Sequence, residues 1–60
     1  MELLDIAKKM FVKDLKSGLY NGSGIKVWED LIPDELDLYM LEAKVFKNIP
    51  ESEWPTFLVG

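Results

Sequence analysis

The densest run of reactive side chains is Glu29-Asp30 followed by Asp34, Glu35 and Asp37, five carboxylates within nine residues. Paired carboxylates can share a metal ion or divide the acid and base roles of a hydrolytic step. Here the spacing matches no EF-hand loop, and no second type of ligand stands nearby to complete a site. The cluster straddles the point where a helix should begin, so its first effect is electrostatic, placing negative charge on the positive end of a helix dipole. What it leaves for function is an acidic patch suited to a basic surface, including one that otherwise meets nucleic-acid phosphate.

The other candidates for chemistry are weaker. Histidine and cysteine are both absent. Their absence removes the commonest metal ligand, the usual general base near neutral pH, the thiolate nucleophile and the disulfide. Ser17, Ser23, Ser52 and Thr56 are the only aliphatic hydroxyls, and they lack a histidine to activate them. Gly22-Ser23-Gly24 suggests a phosphate loop, but no Gly-Lys-Ser/Thr follows and no hydrophobic strand precedes it. No cofactor motif is present. The residues argue against an enzyme.

Charge is unevenly spread. The net charge is −4, with residues 1–26 carrying +2 and residues 27–60 carrying −6. Lys8, Lys9, Lys13 and Lys16 share one helix face, which reads as a solvated surface. As an alternative it could touch nucleic acid through counterion release. The overall negative charge opposes that contact, no aromatic platform is interleaved with the lysines, and no arginine is present for bidentate recognition.

These side chains must be held by a small scaffold. Residues 1–60 make a single domain near the lower size limit for independent folding. Apolar burial of a chain of 6.9 kDa contributes ~85 kcal/mol, against ~90 kcal/mol of ordering entropy. With no disulfide or metal to staple it, oligomerisation is the remaining aid, and a homodimer is expected.

The hydrophobic periodicity predicts a mainly α fold with two amphipathic helices. The first spans about 3–16, with Leu3, Leu4, Ile6, Ala7, Met10, Phe11 and Leu15 on one broad face. Asp14 projects into that face, as a carboxylate leaning out to water or as half of a salt bridge to a partner. Gly18 should stop the helix in a left-handed conformation. A Gly-rich turn then leads to the second helix, about 33–48, opened by Pro33 and ended near Asn48. Asn21-Gly22 also signals a hairpin, so an α+β alternative pairs strands around residues 19–28. The end of the chain, with Trp54, Phe57, Leu58 and Val59, should form a short C-terminal arm.

The second helix is apolar on two opposite sides. Leu36, Tyr39, Met40, Ala43 and Phe46 fall within ~120° of one another, and Leu38, Leu41 and Val45 within ~60° on the other side. Glu35 and Glu42 separate the stripes along one border, Asp37 and Lys44 along the other. The larger stripe is assigned to the core. Leu38, Leu41 and Val45, with Trp54 and Phe57 from the arm, are expected to form a protein interface.

No stretch approaches the ~20 apolar residues of a membrane span, and MELLDIAKKM does not read as a signal peptide. A cytoplasmic, self-associating, non-catalytic binding protein is therefore expected, acting as an inhibitor or regulator on the surface of a larger protein. Its size and charge suit the class of small phage-encoded inhibitors. A nucleic-acid-binding regulator and a structural subunit are the alternatives.

Overall fold

The computed structural model describes residues 2–59. Two long helices, α1 (Leu3–Lys16) and α2 (Pro33–Lys47), pack against each other, and a one-turn helix, α3 (Thr56–Val59), packs on α1. Short 3-10 turns at Trp28–Asp30 and Glu51–Glu53 complete the helical structure. There is no strand among the described residues.

α1 forms where the apolar period predicted it. Asp5 lies in its first turn and Lys13 and Lys16 in its last, each matching the dipole. Its end is a Schellman motif. The Leu19 amide donates to the Asp14 carbonyl at 3.1 Å and the Gly18 amide to the Leu15 carbonyl at 3.2 Å. Gly18 sits at φ +88°, and a Cβ there would come within 3.0 Å of the Asn21 side-chain nitrogen.

The hairpin alternative for residues 19–28 does not form. Gly22 and Gly24 both adopt positive φ, and Ser23 folds back, its amide at 3.1 Å and its hydroxyl at 2.6 Å from the Tyr20 carbonyl. The amides of Lys26 and Val27, which a strand would give to its neighbour, donate instead to Asp30 Oδ2 at 2.9 and 3.2 Å. That carboxylate closes a helical turn, and the two amides hold its pKa below the ordinary aspartate value. Trp28 is thereby turned onto the core.

α2 begins with Pro33 at its first position and carries Asp34 and Glu35 in its first turn. It ends at Lys47, with Asn48 as the cap. The chain beyond is not an extended arm. After Pro50 it makes a turn that drives Trp54 inward, and the indole N–H donates to the carbonyls of Phe46 and Ile49, both at 2.9 Å. Trp54 thus supplies a donor to the Ile49 carbonyl and a second one to the Phe46 carbonyl, which also accepts the Ile49 amide at 2.9 Å. α3 follows, with Leu58 wholly buried.

Two of the four α1 lysines hold this last segment. The Lys9 ammonium donates to the Leu58 carbonyl at 3.0 Å, and the Lys13 ammonium lies 4.8 Å from the centre of the Phe57 ring. All four lysines are exposed, as a solvated face requires, and Lys9 and Lys13 also touch the end of the chain. The signal for these two contacts was hidden, because it depends on a segment more than forty residues away.

The core is Ile6, Ala7, Met10 and Phe11 from α1, Leu31, Tyr39 and Ala43 from the α2 side, and Trp54 and Leu58 from the end of the chain. Ala7 and Ala43 are fully buried, and their small side chains permit close approach of the helices. Phe11 is the hub of an aromatic cluster, with ring centres 5.5 Å from Tyr20, 5.8 Å from Trp28 and 6.0 Å from Tyr39.

Gly18→Ala tests the α1 stop. Alanine must adopt a left-handed backbone there and crowd Asn21, so the variant should lose about 1 kcal/mol of stability in urea titrations. An unchanged midpoint would show that the Schellman turn is not required.

Candidate protein-binding face

The face of α2 turned away from α1 carries Leu38, Leu41 and Val45, exposed at 62%, 60% and 56%. Leu36, Met40 and Phe46, from the other side of the same helix, are half-buried against the core, and Tyr39 and Ala43 are inside it. One α-helix thus has a covered apolar side and an uncovered one. Asp37 and Lys44 border the exposed stripe on one edge and Glu42 on the other, all three exposed.

A groove of about 510 Å³ runs beside the stripe, between α1, α2 and the end of the chain. Met10, Val45, Phe46 and Phe57 line it, with Lys13, Asp14 and Glu42 as its charged groups. A smaller cleft of about 200 Å³ lies further along α2, lined by Leu19, Tyr20, Glu35, Leu38, Tyr39 and Glu42. Both hollows are half-open to solvent.

Between them lies a hydrogen-bond chain that fixes how α1 and α2 meet. The Tyr39 hydroxyl donates to Asp14 Oδ2 at 2.5 Å, and the Tyr20 and Tyr39 hydroxyls are 2.7 Å apart. Since Tyr39 has one proton and gives it to Asp14, Tyr20 is the donor to Tyr39. Asp14 is half-buried, and its Oδ2 is engaged within the chain. Burial, first, and then the Asp14 carboxylate that accepts its proton push the Tyr39 phenol far above its ordinary pKa. The Tyr20 phenol is also raised, chiefly by burial and further by Glu35.

Of the remaining residues singled out from sequence, Phe57 is half-buried on the wall of the groove. Trp54 is only 8% exposed and committed to the core, so it is not part of any surface. The acidic residues do not form one site. Asp30 is engaged by backbone amides, Glu35 approaches Tyr20, and Glu29, Asp34 and Asp37 are exposed. No group of three or more potential ligands is placed to hold a metal ion among the described residues. No helix among those residues is long and apolar enough to cross a membrane.

No protein-family model matches the chain, and neither a curated protein nor a solved structure does. The geometry alone therefore carries the functional argument.

The tyrosine chain predicts a specific alkaline behaviour. A phenol whose pKa is raised by folding contributes stability that is fully present below the unfolded value near 10 and is lost as pH climbs toward the folded value. Tyr39→Phe leaves Asp14 without its donor and should cost about 1–3 kcal/mol at neutral pH. Above pH ~10 the gap between wild type and variant should narrow. Chemical denaturation from pH 7 to 11.5 measures it, and a constant gap would show that the phenol's ionisation is not linked to folding.

Proposed function

We propose that this chain is a small, non-catalytic protein-binding module that self-associates and regulates or inhibits a larger protein by occupying part of its surface. The observation that carries this reading is the exposure of Leu38, Leu41 and Val45 together on one side of a helix whose other side is already packed. Such a stripe is the form in which an amphipathic helix presents anchors to a groove or to another helix. The half-open groove beside it extends the apolar surface, and Phe57 adds an aromatic anchor.

The exposed carboxylates at the start of α2, beside the stripe that self-association covers, favour a basic surface on the larger protein. Asp34, Asp37 and Glu42 are exposed on α2, and a rim of carboxylates steers and orients a positively charged target. Catalysis has no support in the chain's residues, since the hydroxyls and carboxylates present are not assembled around a base or nucleophile. The nucleic-acid alternative loses ground as well, because Lys9 and Lys13 are occupied with the end of the chain.

Leu41→Glu separates binding from folding. A carboxylate at that exposed position is cheap in water and expensive in a desolvated contact. Far-ultraviolet circular dichroism should be unchanged while sedimentation shows loss of self-association. Phe46→Ala, which removes packing from the core side, should cost about 2–5 kcal/mol and unfold much of the chain. The reading fails if Leu41→Glu unfolds the protein while Phe46→Ala stays folded, or if Leu41→Glu associates as wild type does.

A further inference from the structure

This inference rests on the reading that the α2 face binds protein, and it names the occupant. We propose that a second copy of the chain covers the face, with the two α2 helices antiparallel about a two-fold axis beside Leu41. Leu38, Leu41 and Val45 are spaced three and four residues apart. Reversing the helix sets Leu38 opposite Val45 of the second copy and Leu41 beside its own counterpart. The stripe is thus complementary to itself, which is what an isologous interface requires.

The charges choose this direction over the parallel one. Asp37 and Lys44 are seven residues apart, so they lie about two turns apart along the same border, ~10 Å along the axis. In the antiparallel pair, each border meets the same border of the second copy with its direction reversed. Asp37 of either copy then comes to within ~3 Å along the axis of the level of Lys44 in the other. The match occurs twice. Parallel packing would instead pair Lys44 with Glu42 of the second copy but set Asp37 against its Glu35, each twice, and align the two helix dipoles, so its repulsions cancel its gains. One feature opposes the antiparallel pair: Glu42, on the other border and close to the axis, meets its own counterpart.

The shape of the molecule leaves room for this contact. Its principal extents are 35 × 21 × 13 Å, a slab whose shortest dimension is little more than one helix thick. Asp37, Leu38, Leu41, Glu42, Lys44 and Val45 are all exposed, so none of them is covered by another element.

Charge reversal in mixed pairs tests the arrangement. Wild type should sediment as a dimer at ~100 µM, within the range where weak association is seen. Asp37→Lys alone and Lys44→Asp alone should each weaken it on the order of tenfold, since each makes two like-charge pairs. An equimolar mixture of the two variants should recover the dimer, because every reversed charge then faces its opposite. One chain carrying both reversals should recover it too. Glu42→Gln should tighten the dimer by roughly two- to fivefold.

A wild-type dimer whose single variants are not rescued by mixing would overturn the proposed register while leaving self-association standing. Tighter association of Asp37→Lys than of wild type would favour parallel packing and overturn the proposal. A wild type that remains monomeric at ~100 µM would overturn both the register and self-association.

Discussion

Sixty residues provide one long helix to pack against α2, and α2 is apolar on two sides. That shortage is the constraint on which the rest of the molecule depends. α1 covers the side bearing Tyr39 and Ala43, and the end of the chain folds back onto α1 and onto the carboxyl end of α2. Nothing in the described chain is left to cover Leu38, Leu41 and Val45. A monomer can tolerate scattered exposed leucines, but an aligned set on one helix face is better explained as a contact surface.

Polar groups decide which side of α2 faces in. Apolar packing alone would let a helix bearing two greasy stripes rotate. The Tyr20–Tyr39–Asp14 chain prevents this, because only one rotation brings the Tyr39 hydroxyl to the Asp14 carboxylate. Any other would take Tyr39 away from the partly buried Asp14 carboxylate and from the Tyr20 hydroxyl, at a cost of about 1–3 kcal/mol for each partner lost. The same chain anchors Tyr20, and through the aromatic cluster it helps hold Phe11 and Trp28. Core specification and presentation of the outer stripe are therefore two consequences of one set of hydrogen bonds.

Much of the helical layout was legible in the sequence. The extents of the long helices follow from periodicity, Pro33 and Gly18, and they differ from expectation by a single residue at the end of α2. Features that depend on contacts between distant segments were not legible. Asp14 stood out as a carboxylate on an apolar face, but its partner lies twenty-five residues later. Trp54 looked like an interface aromatic because its composition says nothing about the two carbonyls that take its proton. The hairpin signal at Asn21-Gly22 was genuine local turn chemistry, overridden when Asp30 captured the amides of Lys26 and Val27.

An exposed face that binds a second copy stabilises only the folded protein, so stability must rise with concentration by mass action. The most direct measurement is the thermal midpoint of wild type, followed by circular dichroism from ~5 to ~500 µM, a span that brackets weak association. The midpoint should climb steadily across that range, and Leu41→Glu should abolish the climb. A wild-type midpoint that stays fixed over the hundredfold span would contradict association through α2.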